Sequence, residues 1–323
     1  MAEKPRDRVT AVALHPSGAA AACTAAGRLV LLSPELAPAG EVLLGAPGTL
    51  VAWVAAETLL VTTEKHVCGI TNLKVVARHP LARGAGAADV ADNGDLVAAV
   101  GRELTAFSVS GDGSAITETA IAADAGVTAV LGERGRGTVL TAGAKGLVRW
   151  ALTGGTWTAL ASVPAAQPLT SLALAPGAGG PPQILALAPS GVLRWEAHTL
   201  VPLDPIALQG VSCLGAAGDL VLAGDTRGRI AAPPALQAGG AGSSDVPLWI
   251  GHSQRVTRLV SSGPRVVSLA DDGTLRAWEW EPPEPAETPS EPAPAAAART
   301  SRAAPRSPLS AATSPLPAIE ETE

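Results

Sequence analysis

One short pattern returns along this chain and constrains its architecture more than any other feature. An apolar residue, a small hydroxyl residue, a variable residue and a second apolar residue occur in that order, as at the start of a buried strand. The copies are "VTAV", "VTAV", "LTSL", "VSCL" and "VTRL", which begin at Val9, Val127, Leu169, Val211 and Val256. The last four copies lie 42, 42 and 45 residues apart. A period of this length is typical of repeat architectures.

The 118 residues between the first two copies leave room for two weaker ones. These are "LVAW" at Leu50 and "ADVA" at Ala88. Seven units are therefore predicted, and their starts are Val9, Leu50, Ala88, Val127, Leu169, Val211 and Val256.

Within the units, turns rich in Gly and Asp separate short runs of Val, Leu and Trp. Examples are "GLVRW" from Gly146 and "GTLRAW" from Gly273. Such runs indicate antiparallel strands joined by hairpins, and no run of twelve or more residues keeps a helical period. Four-stranded units at this spacing are typical of propeller blades. The sequence predicts an all-β, seven-bladed β-propeller over residues 1–281.

The last unit, "GHSQRVTRLVSSGPRVVSLADDGTLRAWEW", resembles a WD-repeat. A Gly-His pair opens it, an Asp-Gly turn follows the second strand, and a Trp ends the third strand. In that family His, Ser or Thr, Asp and Trp form a hydrogen-bonded tetrad that holds one blade together. The resemblance implies these roles for His252, Ser268, Asp272 and Trp278.

The other units keep less of this pattern. Trp150 and Trp195 retain the Arg-Trp ending, but Lys145 and Ser190 occupy the turn where the family has Asp. The WD dipeptide is absent throughout, and Glu279 follows the last tetrad residue. We expect these blades to lack the tetrad and to depend on apolar packing.

Closure of the ring is a separate question, because the sequence after Trp280 is too rich in Pro to supply a strand. Only "MAEKPRDR" precedes the first unit, and Pro5 donates no hydrogen bond. Two explanations stay open. Either the seventh blade has three strands or is weakly completed by Ala2 to Arg6, or the chain is the C-terminal part of a longer protein that supplies the strand. We favour the second.

Residues 282–323 form a tail rich in Pro, Ala, Ser and Glu, with few large apolar residues. Such a segment cannot bury enough surface to offset the entropy of ordering, so the sequence predicts disorder. Thr288, Ser307 and Ser314 each precede a proline and are candidate phosphorylation sites. Chance occurrence of these dipeptides is the alternative.

Charge and apolar patterning exclude several classes of protein. The net charge of -6 argues against a surface that neutralises nucleic-acid phosphates. The N-terminus has no apolar leader, and the longest apolar stretch, residues 50–61, is too short to span a bilayer and contains Glu57. Three widely spaced cysteines suggest neither a disulfide framework nor a zinc site. We therefore expect a cytoplasmic protein, or a nuclear one, with no membrane contact.

Catalytic motifs are absent from the sequence. The five histidines occupy different positions within their units, and neither HExxH nor GxSxG occurs. The Gly-rich stretches do not follow a strand and open a helix, so they are not phosphate loops. We expect no metal, no cofactor and no enzymatic activity.

A rigid propeller without a catalytic site is predicted to be a protein-protein interaction scaffold, monomeric within a complex and belonging to a larger assembly protein. Arg8 and Arg255 precede strand starts, where related propellers face their partners, although solvated charge would also explain them. Two alternatives stay open. A propeller enzyme would need acidic and His residues in the channel, and a ribonucleoprotein-binding propeller would need a basic face.

Overall fold

Seven antiparallel sheets follow one another along the chain. The computed structural model describes residues 7–111, 113–123, 126–175, 181–218, 220–237 and 249–280. In these ranges the first six sheets have four strands each, the seventh has three, and every strand pairs with its sequence neighbour. The predicted seven-bladed all-β propeller is confirmed. The described residues contain one short helical turn, Pro234–Leu236, and no helix long and apolar enough to cross a membrane.

The strands are numbered in chain order. Blade 1 contains β1 (Val9–Leu14), β2 (Ala20–Thr24), β3 (Arg28–Leu32) and β4 (Pro38–Leu43). Blade 2 contains β5 (Gly48–Ala55), β6 (Thr58–Thr63), β7 (His66–Thr71) and β8 (Lys74–Pro80). Blade 3 contains β9 (Ala85–Val90), β10 (Leu96–Val100), β11 (Glu103–Val109) and β12 (Ile116–Ala122). Blade 4 contains β13 (Val127–Glu133), β14 (Thr138–Gly143), β15 (Gly146–Thr153) and β16 (Thr156–Val163).

The remaining blades repeat this order. Blade 5 contains β17 (Ser171–Ala175), β18 (Gln183–Ala188), β19 (Gly191–Glu196) and β20 (Pro202–Ile206). Blade 6 contains β21 (Val211–Ala217), β22 (Leu220–Asp225), β23 (Arg229–Ala231) and β24 (Trp249–Ile250). Blade 7 contains β25 (Val256–Ser262), β26 (Arg265–Ala270) and β27 (Leu275–Glu279). The first strand of every blade begins within three residues of the start read from the sequence.

The hydrophobic core is divided among the interfaces between blades. The described residues form seven clusters of buried apolar side chains, and each cluster joins the facing sides of two neighbouring blades. The second strands are buried on both sides, as in β2, where all five residues are buried. Ala20 and Ala22 belong to the cluster with blade 7, and Ala21 and Cys23 to the cluster with blade 2. A strand covered on both faces needs apolar side chains at every position, so the continuous runs in the sequence reflect this arrangement.

The hydroxyl residue of the recurring pattern links neighbouring blades. The Thr10 hydroxyl donates to the carbonyl of Gly48 at 2.5 Å, and the Ser212 hydroxyl donates to the carbonyl of Val256 at 2.6 Å. Thr128 makes the same bond to blade 5, where the acceptor is the carbonyl of Leu169. A small hydroxyl thus satisfies a backbone acceptor of the next blade in blades 1, 4 and 6, which explains the motif physically.

Blade 7 meets blade 1 and closes the ring. The Val9 N–H donates to the Gly273 carbonyl at 3.2 Å, and Val267 and Leu269 pack in one cluster with Val12 and Leu14. Blade 7 has three strands in the described part of the chain. The segment from Ala2 to Arg6, expected as a possible weak completion of this blade, lies outside the described residues. So do the predicted disordered tail, 282–323, and its candidate phosphorylation sites at Thr288, Ser307 and Ser314.

Candidate functional site: the connection face and its polar relay

Two kinds of chain segment meet at one end of the ring. In an up-and-down sheet of four strands, the turn between the second and third strands lies at the same end as the connection to the next blade. We name this end the connection face. Around blades 7, 1 and 6 it carries the turns 271–274, 25–27 and 226–228, and the connections 251–255 and 7–8. The other end, with the turns that follow the first and third strands, is the opposite face.

Blade 7 is held together at the connection face by a chain of hydrogen bonds. The Trp278 Nε1 atom lies 2.8 Å from Ser268 Oγ, which lies 2.7 Å from His252 Nε2. On the other side of the imidazole, His252 Nδ1 lies 2.9 Å from Thr274 Oγ1. Thr274 Oγ1 lies 2.7 Å from Asp272 Oδ1. We name this set of five side chains the polar relay.

The chemistry of the two ends fixes the direction of every bond in the relay. The Trp278 indole can only donate, so Ser268 accepts from it and gives its own proton to His252 Nε2. The Asp272 carboxylate can only accept, so Thr274 donates to it and must accept from His252 Nδ1. One neutral imidazole with its proton on Nδ1 satisfies both neighbours. Each group in the relay is therefore paired without conflict.

The environment of the relay favours these protonation states. Burial lowers the pKa of His252, and the nearby Arg276 guanidinium lowers it further, which keeps the imidazole neutral. Burial alone would raise the pKa of Asp272, but hydrogen bonds from Thr274 and Ser253 bring it below its usual value. His252 is 6% exposed and Ser268 is fully buried. Loss of either bonding partner would leave a buried polar atom unpaired.

The structure brings together all four residues assigned to the tetrad by resemblance. His252, Ser268 and Trp278 are directly bonded, whereas Asp272 reaches the imidazole through Thr274. Sequence reasoning missed Thr274, because the residue after the turn glycine was read only as the start of the third strand. A hydroxyl two residues after the turn Asp was the available signal. The role of the set in holding the blade together stays a prediction.

The two arginines proposed for partner binding both lie on the connection face. Arg8 is exposed. The Arg255 side chain is 54% exposed and forms a two-point ion pair with Asp271, with Nε 2.9 Å from Oδ2 and Nη2 3.3 Å from Oδ1. Arg255 thus has a local ionic partner. Whether either residue binds a partner stays a prediction.

Most acidic groups of the connection face are occupied by local bonds. Asp7 accepts from the Arg28 guanidinium at 3.0 Å, and Asp225 accepts from the Arg229 guanidinium at 2.5 Å. Asp225 also accepts two backbone N–H groups of its own turn. Among the described residues of this face, exposed basic side chains outnumber exposed acidic ones. The exposed basic residues are Arg8, Lys65, Arg83, Arg102, Lys145, Arg227, Arg229 and Arg255, and the exposed acidic ones are Glu64 and Glu103.

Blades 4 and 5 diverge from blade 7 in different ways. In blade 4, the Trp150 Nε1 atom donates to Thr141 Oγ1 at 2.9 Å, as Trp278 does to Ser268. Blade 4 thus has one polar bond of the relay type beside its apolar packing, and its dependence on that packing stays a prediction. In blade 5, Ala186 holds the position on the second strand that Thr141 holds in blade 4 and Ser268 holds in blade 7. This position therefore offers no hydroxyl to Trp195, which is buried in an apolar cluster.

On the opposite face, blade 4 carries a buried ion pair that the sequence analysis did not identify. Glu133, 1% exposed, accepts from Arg149 Nε at 2.7 Å and Nη2 at 2.9 Å, and from the Thr138 hydroxyl at 2.8 Å. Arg149 also donates to the carbonyls of Ala197 and His198 in blade 5. An acidic residue at the end of an otherwise apolar first strand was the only sequence signal. The pair joins the two blades.

Groups that could serve catalysis are spread around the ring. His15 contacts Ser17, His79 contacts Glu118 and His198 contacts Arg136, each in a different blade. On the first strand of blade 3, burial raises the pKa of Asp89, yet its carboxylate accepts the N–H groups of Gly132 and Val90. In the described part of the chain, no three His, Cys, Asp or Glu residues are placed to hold a metal ion.

Solved structures of other proteins share this fold at low sequence identity. Saccharomyces cerevisiae Sqt1 superposes with a TM-score of 0.63 and 12% identity, over 84% of this chain and 96% of that one. The β-propeller domain of Cps50 (Swd1) from Myceliophteria thermophila superposes with a TM-score of 0.65 and 12% identity, over 86% and 98%. No protein-family model matches the sequence, and no curated protein sequence matches it significantly. These likenesses show the propeller fold.

Proposed function

We propose that the protein is a divergent WD-repeat propeller that acts as a non-catalytic interaction scaffold, and that its connection face binds an acidic segment of a partner protein. The observation that carries this proposal is that exposed basic side chains outnumber exposed acidic ones among the described residues of this face, even when the paired Arg229 and Arg255 are left aside. The chain as a whole has a net charge of -6, so this excess is local. Electrostatic complementarity of this kind favours an anionic partner and speeds its association.

Rigid display is the proposed mechanism. The turns and connections are anchored by bonds within the blades, such as the Arg255–Asp271 pair and the polar relay. A partner therefore binds a surface that is already ordered, and association costs little conformational entropy. The remaining parts of the proposal are a monomeric propeller within a complex, a place in a larger assembly protein, and a cytoplasmic or nuclear location.

A protein partner is favoured over nucleic acid by the aromatic side chains. Single-stranded nucleic acids are held by bases that stack on exposed aromatic rings. In the described residues every Trp is buried or partly buried, and the single Phe, Phe107, is fully buried. The proposal of a non-catalytic protein is supported by the separation of the histidines and by the bonds that occupy Asp89.

Charge reversal tests the proposal directly. The intact chain would be titrated against a fluorescent twelve-residue peptide of Glu and Ser, and against a single-stranded RNA of matched charge, at low and physiological salt. We expect salt-sensitive peptide binding that is lost in the double variant R8E/R255E. The matched control is K74E/R134E, which makes the same change in charge, since Lys74 and Arg134 are exposed at turns of the opposite face. Equal effects of both variants, or tighter binding of the RNA, would refute the assignment.

Affinity capture then asks whether the ring or the tail selects the partner. The intact chain would be compared with one that ends at Glu281. We expect both to retain the same proteins. Loss of all of them on truncation would transfer the function to residues 282–323.

A further inference from the structure

The exposed charges of the connection face are unevenly distributed around the ring. Both exposed acidic residues of its described part, Glu64 and Glu103, lie beside the turns between the second and third strands of blades 2 and 3. The exposed Lys65, Arg83 and Arg102 belong to the same two blades and the connection between them. Acidic and basic groups are therefore mixed in this part of the face.

Blades 6 and 7 have a different arrangement of charge. Their part of the face consists of residues 226–229, the connection 251–255 and residues 271–276, and we name it the blade 6–7 sector. All of these residues are described, and no acidic side chain among them is exposed. The exposed charged residues of the sector are Arg227, Arg229, Arg255 and Arg276.

Backbone packing brings the parts of the sector together around the connection 251–255. From blade 6, Gly228 lies against the backbone carbonyls of this connection, and Arg227 is its neighbour in the turn. From blade 7, the Cδ and Nε atoms of Arg276 lie against Gly251, at the start of the same connection. Each of the two blades thus places one arginine beside the connection.

These two arginines differ from the others in their bonding. The acidic groups of the sector and its border have local partners: Asp225 with Arg229, Asp271 with Arg255, and Asp272 with Ser253 and Thr274. Among the described residues, the guanidinium groups of Arg227 and Arg276 have neither a hydrogen bond nor an ion pair. Two exposed positive charges are therefore left without a bonded counter-charge.

We propose that the acidic partner segment binds along the connection 251–255, and that Arg227 and Arg276 are the residues that hold its carboxylates. The assignment rests on the function proposed above and places the binding site within the connection face. A guanidinium can donate two parallel hydrogen bonds to one carboxylate. The exposed Gln254 amide, in the same connection, offers a further donor and acceptor to the backbone of the segment.

Arg255 is expected to contribute less than these two residues. Its guanidinium already donates to both oxygens of Asp271, at 2.9 and 3.3 Å. A partner carboxylate would have to share these donors and would lie close to the Asp271 charge, and like charges repel. Arg227 and Arg276 have no such bond to give up.

Charge reversal at two places on one face tests the assignment. The intact chain and its variants would be titrated with the fluorescent peptide of Glu and Ser, followed by anisotropy at physiological salt. R227E/R276E should weaken binding by about tenfold or more, because it replaces attraction by repulsion. The matched control is K65E/R83E, which makes the same change in charge across the ring. It should have little effect, since distant exposed charges are screened.

A conservative variant separates direct contacts from the general field of the face. R227K/R276K keeps both charges but loses the planar fork of donors, so it should still weaken binding several-fold. Both side chains are exposed, and equal melting temperatures would show that the variants fold. R227E alone should also weaken binding, which keeps the test decisive if R276E disturbs the nearby His252.

Hydrogen exchange gives a second measurement of the location. Saturation with the peptide should slow exchange at residues 251–255 and 226–228. Slower exchange at residues 64–65 and 101–103 instead would move the site to blades 2 and 3 and overturn the assignment.

Three binding results would also overturn it. They are unchanged binding by R227E/R276E, equal losses in R227E/R276E and K65E/R83E, and parental affinity of R227K/R276K. Failure of this assignment is separate from failure of the proposed function. If R8E/R255E abolishes binding and R227E/R276E does not, the connection face keeps its function and only the blade 6–7 sector is excluded. If the unmodified chain does not bind the peptide, both proposals fail.

Discussion

Blades 4 and 7 share the Arg-Trp type of third strand but use polar groups at different ends of the ring. Blade 7 has its polar relay at the connection face, where neutral and charged groups form one directed chain. Blade 4 retains only the Trp150–Thr141 bond there, and on the opposite face it buries the Glu133–Arg149 ion pair. The comparison shows that the fold tolerates either arrangement. At these two ends the buried polar side chains are paired in both blades, and different sets of residues achieve this.

The largest effect is expected from the ion pair of blade 4. Removal of the carboxylate in E133A would leave the Arg149 guanidinium buried without its counter-charge, and should lower the free energy of unfolding by about 3–5 kcal/mol. Urea denaturation measures this loss. The double variant E133A/R149M removes both charges and should recover much of it. If E133A is as stable as the parent, Arg149 is solvated and the Glu133–Arg149 ion pair does not stabilise blade 4.

A smaller effect is expected from the relay of blade 7. S268A leaves the Trp278 N–H and His252 Nε2 without their shared partner, and should cost about 1–3 kcal/mol. In blade 4, T141V removes one acceptor from Trp150 and should cost about 1 kcal/mol. Chemical denaturation of the two variants side by side gives the ranking. If T141V costs more than S268A, the relay is not a connected unit.

The next expected effect is a pH dependence of stability that comes from the polar relay of blade 7. Burial and the Arg276 guanidinium hold the folded-state pKa of His252 below the usual value of 6.5, so the unfolded chain binds the proton more readily. Stability is therefore full above the unfolded pKa and falls as the pH drops from about 6.5 towards the lower folded value. Asp272, whose pKa is also lowered, contributes in the same direction in the more acidic range below 3.8.

The measurement is the melting temperature between pH 7.5 and pH 5. H252Q should be less stable at neutral pH but should show a flatter profile, since the titrating group is gone. E133A serves as the comparison, because it should keep the slope of the parent. A parent profile that rises on acidification would contradict the neutral imidazole.

The smallest effect on stability is expected on the surface of blade 7. R255A breaks an exposed pair with Asp271, and such pairs contribute about 1 kcal/mol or less. Thermal unfolding should hardly change, whereas binding of the acidic peptide should weaken. A large loss of stability would indicate a structural role for Arg255 and remove it from the proposed binding face.

The spacing of strand starts predicted the seven-bladed ring. Each blade buries both faces of its second strand, so the same apolar pattern has to recur once per blade in the sequence. The resemblance of the last unit to a WD-repeat, and not the spacing, grouped His252, Ser268, Asp272 and Trp278. Thr274 was missed, since a single hydroxyl beside a turn has many explanations. Glu133 and Arg149 were missed for a different reason. Their partners include carbonyls of Ala197 and His198, which only the packing of two blades brings close. The basic character of the connection face was equally hidden, because its residues are far apart in the chain.

The division of the core among seven interfaces has a consequence for how such a chain can change over time. A substitution in one blade affects packing against its two neighbouring blades only, so the residues of one blade can change while the rest of the ring stays folded. A propeller can therefore lose a recognisable motif in one blade at a time and remain folded at every step. The unit that begins at Gly251 keeps its polar relay while blade 5 has Ala186 at the position of Ser268, and both blades pack in the same ring.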